Sequence, residues 1–197
     1  MGEAASILTL DYASYLSAEA ASPTKHEWVD GHVYAMAGGT LAHGELAVAV
    51  ASELRAMLGA GPCRVYSSDV RVRVLASGLA TYPDVSVACH PETDPSDPHA
   101  LTNPVVVVEV LSDSTELWDR SRKFAHYRKI PSLRDYVLVS QHEPHIEVYS
   151  LRDGQWALSE AEGGGRVALT AIDGAIDVDR VYAGIALSPP PPPPTEP

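Results

Sequence analysis

The stretch VVVVEVLSDSTELWDRSRKFAHY, Val105 to Tyr127, decides how this chain is read. Four consecutive valines have the composition of a strand buried on both faces, yet the run ends in Glu109 instead of another apolar residue. Carboxylates are rarely buried unless a partner offsets their desolvation, so Glu109 requires one. Beyond Leu111, Asp113 is spaced as an N-cap with Glu116 three residues later, and Pro131 closes the segment. A helix is therefore expected from about Ser114 to Ile130. At roughly 100° per residue, Leu117, Phe124, Tyr127 and Ile130 form its core-facing arc, and Arg120 and Lys123 fall inside that arc. Trp118, Arg122, His126 and Lys129 fall on the opposite side. A lysine on the inner arc either snorkels to water or carries its ammonium to something negative near the sheet. Tyr127 is expected in the core, its hydroxyl free to bond a site residue.

Side chains alternate faces along a strand, so Glu109 shares a face with Val107 and Leu111. The preceding strand opens with YPDV, which places Asp84 near a strand end, within reach of a neighbouring strand. Two carboxylates held close repel unless a proton or cation lies between them. A hard divalent cation such as magnesium suits two carboxylates plus a backbone carbonyl, the remaining positions being filled by water. The competing arrangement has Asp84 capping a turn and Glu109 paired with Arg71 or Arg73.

The rest of the chain frames these residues. A short helix is expected around Leu10 to Leu16. Asp30-Gly31 between Trp28-Val29 and Val33-Tyr34 signals a hairpin, and AGGT makes a turn after it. From His43, the positions Leu46, Val50, Leu54 and Leu58 mark one stripe of a helix ending near Gly59. DVRVRVL reads as a half-buried strand, and TYPDVSVAC and PVVVVEVLS as deeper ones; HPETDPSDPH between them reads as a loop without periodicity. RDYVLVS, HIEVYSL and QWALSEA follow the second helix as an antiparallel meander. The order indicates an α/β (α+β) fold with a central mixed sheet flanked by helices. One domain over residues 1–187 is expected, followed by a disordered proline-rich tail over 188–197. Cys63 and Cys89 are expected as reduced thiols in the core.

A formal charge of −12 excludes a protein that coats nucleic acid nonspecifically, because phosphate neutralisation needs lysine and arginine. The distribution qualifies this: six of the 14 basic residues lie between Arg120 and Arg134 with no acid among them, either a solvated helix face or a local positive patch. No run is apolar enough to cross a bilayer and no signal segment is evident, so a cytoplasmic protein without a membrane partner is expected.

Taken in order, the hairpin containing Glu27, His43 at the next helix, YPDV, EVLSDST, DRSRKFAHY and DYVLV resemble the Uma-type restriction endonucleases of the PD-(D/E)xK nuclease superfamily. The resemblance spans most of the chain. It implies a restriction-endonuclease-like core and hydrolysis of DNA phosphodiesters. Asp84, Glu109 and the Val110 carbonyl would hold Mg2+, with Mn2+ able to substitute, and Lys123 would orient the attacking water. The superfamily's usual lysine stands two residues after the glutamate, where this chain has Leu111; the resemblance places that lysine on the helix, at Lys123. Asp113 occupies a position where the family often has proline. Glu27 either completes the metal shell, fixes Lys123 or is an exposed hairpin carboxylate. His43, turned inward with Leu46 and Val50, is either catalytic or a satisfied core histidine. RNA or branched substrates remain open, a homodimer is expected by analogy with two-strand cutting, and the alternative to an enzyme is a noncatalytic nucleic-acid- or protein-binding module.

Overall fold

In the computed structural model, which describes residues 9–36, 38–187 and 189, local sequence signals set most of the boundaries. Asp11 accepts the Ser14 amide and opens α1 (Tyr12–Ala21), which runs five residues beyond the expected end. β1 (His26–Val29) and β2 (His32–Ala35) form the hairpin, with Asp30 and Gly31 both at positive φ as a tight two-residue turn requires. Thr40 caps α2 (Leu41–Leu58), whose buried stripe includes Leu46, Val50 and Leu54, and Gly59 ends it with φ of 55°.

β3 (Cys63–Ser67) is a strand the sequence did not signal. β4 (Arg71–Val74) is buried along its whole length, which corrects the half-buried expectation. Its arginines are buried because they have partners: Arg71 meets Asp97 at 2.8 Å, and the Arg73 guanidinium lies 4.0 Å from the Tyr12 ring centroid with Asp94 at 3.8 Å. β5 (Leu79–Thr81) and β6 (Val85–Cys89) follow. Asp94 and Asp97 come from the segment expected as a loop, which instead contributes β7 (Thr93–Asp94) and leads into β8 (Asp97–Leu101). Two residues of strand are too few to show a period of two.

The valine run is β9 (Val106–Val110), buried throughout. A helical segment follows as α3 (Glu116–Trp118), a π turn (Asp119–Lys123) and α4 (Phe124–Tyr127). β10 (Asp135–Val139), β11 (His145–Arg152) and β12 (Gln155–Glu162) form the expected antiparallel meander. β13 (Arg166–Leu169), β14 (Gly174–Asp177) and α5 (Val178–Tyr182) close the described chain. Of the expected proline tail, residues 188 and 190–197 lie outside the described residues.

The central mixed sheet runs β12-β11-β10-β9-β6-β3, with β9 and β10 parallel and its other pairs antiparallel. A second six-stranded sheet, β2-β1-β5-β4-β8-β7, carries the hairpin. Val106, Val108 and Val110 face α2 and the C-terminal elements, whereas Val107 and Leu111 pack with Phe124, Tyr127 and Val72 and Val74 of the second sheet. Glu109 belongs to this second face, the layer between the two sheets.

Cys63 and Cys89 are not free thiols. They are half-buried, directly opposed across the β3–β6 pair, and joined by a disulfide. Opposed residues of an antiparallel pair bring their Cβ atoms within bridging reach. The 26-residue separation concealed that register in the sequence.

Candidate active site

Two strand ends create the acid pair. Val85 pairs with Val108, which brings Asp84, the residue before β6, level with Glu109. Asp84 Oδ2 accepts the Val110 N–H at 2.7 Å, so its carboxylate is pinned to β9 immediately beside Glu109. His43, in the first turn of α2, has Nε2 3.3 Å from the same oxygen. Hydrogen bonding to Asp84 holds the imidazole above its ordinary range, against a burial that acts the other way. Room for that ring comes from Gly39, where a Cβ would stand 2.8 Å from His43 Nδ1.

The partner of Glu109 is Lys123. Its Nζ lies 3.0 Å from Glu109 Oε1, 3.2 Å from Glu27 Oε1 and 3.3 Å from Asp119 Oδ1. An ammonium has three protons to direct, and three carboxylates surround this one. The Tyr127 hydroxyl donates to Glu109 Oε1 at 2.9 Å, and the Thr81 hydroxyl donates to Glu27 Oε1. Arg71 and Arg73 are engaged by Asp97 and Asp94, which removes them as partners of Glu109.

The π turn explains how Lys123 arrives. A wider turn carries extra residues per revolution, so the phase of a straight wheel slips across it. Asp119 and Lys123, 2% and 5% exposed, both point inward, while Leu117, expected in the core, is 82% exposed. Arg120 is also turned from the core, clasping Glu116 and Glu147 at 2.7 Å each. His126 is not simply solvated: its ring bonds the Ser77 hydroxyl. Nor does Asp113 cap the helix. The amides of Thr115 and Glu116 bond the Ser112 carbonyl, and Asp113 pairs with His142 at 2.8 Å. Hydroxyl-rich turns offer several competing local bonds, which defeats a capping rule based on spacing alone.

Asp119 is the site residue that residue-by-residue reasoning passed over. Its available signal was the four-residue spacing to an inward lysine. Its carbonyl accepts the Tyr136 hydroxyl at 3.0 Å, which steadies the turn. Its Oδ1 is buried without a well-formed hydrogen bond, the nearby ammonium lying off line.

The electrostatics follow from three carboxylates sharing one ammonium, with Asp84 close to Glu109. Burial pushes Glu109 well above the carboxylate range; Lys123 pulls it back, and Asp119 and Asp84 push it further. Burial likewise raises Asp119. Against its own burial, Lys123 is held well above the usual lysine value by Glu109 and Glu27. These groups line a cleft of about 490 Å³, and a neighbouring cleft of about 570 Å³ shares His43 and Asp84 with it.

A hard cation fits this donor chemistry. The candidate donors are oxygens, and the carboxylates outnumber the single ammonium. Among the described residues no three His, Cys, Asp or Glu side chains converge as a ready ligand shell, so water would supply most of the coordination. Such reliance on water suits magnesium better than zinc.

The sequence model of the Uma2 family, described as "Putative restriction endonuclease", matches residues 12–176. The chain belongs to the Uma2 family. Two similar sequences are uncharacterized proteins of Synechocystis sp. One, slr1290, is 38% identical over 87% of this chain and 90% of its own length; the other, sll1609, is 34% identical over 78% and 88%. This Uma2 chain also shares its fold with a crystal structure from Anabaena variabilis titled a putative nuclease belonging to DUF820. The TM-score is 0.69 at 14% identity, covering 84% of this chain and 93% of that one. Among the described residues of this Uma2 protein, no helix is long and apolar enough to cross a membrane.

Proposed function

We propose that this Uma2 protein is a metal-dependent nuclease that hydrolyses phosphodiester bonds in DNA. The observation that carries the reading is the meeting of Lys123 with Glu109 beside Asp84 at the end of β9. Family membership and the shared nuclease fold support it.

Asp84, Glu109 and the Val110 carbonyl would hold magnesium or manganese. A divalent cation there would lower the pKa of a bound water and neutralise charge growing on the phosphate. Lys123 is fixed by three carboxylates and largely dry, so it presents a positive charge to the reacting phosphate without reorganising. Glu27 and Asp119 hold that ammonium in place. His43 steadies Asp84 and is a group at the cleft able to exchange a proton.

Incubation with supercoiled plasmid and magnesium or manganese should give nicked product that Asp84→Ala and Lys123→Ala do not give. Equal nicking by all three proteins would trace the activity to a contaminant. A second reading, a noncatalytic binding module, is favoured by the charge. Seven of the 14 basic residues are committed to carboxylates, and of the cations only Lys123 lines the cleft among the described residues, which leaves little positive charge beside the acid pair. Calorimetric titration separates the two, because only the nuclease should bind magnesium or manganese in a manner that requires Asp84 and Glu109.

A further inference from the structure

We propose that the cleft takes an unpaired nucleic-acid strand in preference to a duplex, with one base stacked on Trp118. This rests on the nuclease reading and narrows its substrate. Charge supplies the first argument. A duplex carries a phosphate charge about every 1.7 Å, and binding one along its length requires several free cations. Among the described residues lining the cleft, Lys123 is the one lysine or arginine, and three carboxylates already hold it. The neighbouring cleft adds Lys25, which is paired with Asp69 at 2.6 Å. Arg122, Arg128, Lys129 and Arg134 are exposed, but none lines either cleft.

Shape supplies the second. A cleft of about 490 Å³ falls in the size range of small-molecule sites, which accommodates a nucleotide or two and not the girth of a double helix. It continues past His43 and Asp84 into the second cleft by way of Gly38 and Gly39. A Cβ on Gly38 would meet nothing within 4 Å among the described residues, so the backbone there leaves open space along which a strand can pass. The two clefts therefore adjoin at His43 and Asp84, with Glu109 in the first and Lys25 in the second.

Trp118 supplies the third. It is half-buried, lines the cleft next to Asp119, and its indole nitrogen is buried without a hydrogen-bond partner among the described residues. An aromatic face beside the cleft binds any base by stacking, which lessens the reliance on phosphate cations where the cleft itself offers few. Serving one strand also requires one centre, so this substrate does not demand the homodimer expected from two-strand cutting.

The test uses the full-length protein with magnesium and a short fluorescein-labelled phosphorothioate oligonucleotide, which resists hydrolysis, offered unpaired or as a blunt duplex of the same sequence. Anisotropy should show the unpaired form bound at least about 10-fold more tightly, with a log–log salt slope shallower than about −3, corresponding to fewer than about four neutralised phosphates. Trp118→Leu should weaken unpaired binding at least about 5-fold, and Trp118→Phe, which keeps an aromatic face, should recover most of it. Equal or tighter duplex binding overturns the proposal, as do a steeper slope and a Trp118→Leu protein that binds like wild type. Absence of binding to either form overturns it as well. In that event Asp84-dependent magnesium heat decides the nuclease reading separately: its presence keeps that reading, and its loss removes both.

Discussion

Lys123 is the residue on which the interior of the site balances. Removing one partner of a buried ion pair leaves uncompensated charge, typically at a cost of about 3–5 kcal/mol. Lys123→Met would orphan Glu109, Glu27 and Asp119 together, so it should lower stability by about that amount in urea denaturation. A loss below about 1 kcal/mol would mean that Glu109 and Asp119 are already largely protonated in the folded protein, in keeping with the burial that raises both. Glu109→Gln should cost much less, because Lys123 keeps two acids. The pH dependence has a definite sign. Glu109 and Asp119 retain protons in the folded chain at pH values where the unfolded chain has lost them. The folded state then binds more protons, and stability without metal should fall as pH rises from the ordinary glutamate value of 4.5. Lys123 adds to this fall only at high pH, since its raised value gives stability that is lost above the ordinary lysine range. Denaturation midpoints of wild type and Glu109→Gln across mildly acid to neutral pH would check this, the variant showing the flatter profile.

At the scale of elements, β3 is an edge strand of the central sheet, and the Cys63–Cys89 disulfide fastens it to β6. Closing a loop of this length stabilises by about 3.5 kcal/mol in the chain-entropy account. Reduction, or Cys63→Ser with Cys89→Ser, should therefore lower the melting temperature while sparing Asp84-dependent metal binding, because Asp84 lies at the opposite end of β6. Calorimetry on the reduced protein tests both halves of that statement. The elements also show what the sequence could disclose. The inward Lys123 was legible because a charge among Phe124, Tyr127 and Ile130 conflicts with the apolar arc around it. Asp84 and Glu109 were legible because each ends a strand. Asp119 sits at the margin of the apolar arc, four residues before Lys123, where an acid reads equally well as solvated. The buried Arg71 and Arg73 were hidden because their partners Asp97 and Asp94 come from a Pro- and Asp-rich segment that carries no strand periodicity. The cysteine pairing depended on a β3–β6 register that no local pattern encodes.

For the molecule as a whole, the site is a junction between two sheets. Glu27 comes from the hairpin on the second sheet, Glu109 and Asp84 from the central one, and Lys123 from the helical segment between them. An ion held at this junction would therefore stabilise the packing of whole layers, beyond the loops that touch it. Anything that binds the folded chain alone stabilises it by mass action, about 2.7 kcal/mol at a concentration of 100 times Kd. Magnesium at that excess should raise the melting temperature of wild type and leave Asp84→Asn unmoved. The gain should grow as pH rises through the mildly acidic range, because coordination requires Glu109 to release the proton that burial favours. Thermal melts over a grid of magnesium and pH make the coupling visible. A shift independent of pH, or one retained by Asp84→Asn, would place the ion elsewhere on this acidic surface and separate metal binding from the acid pair.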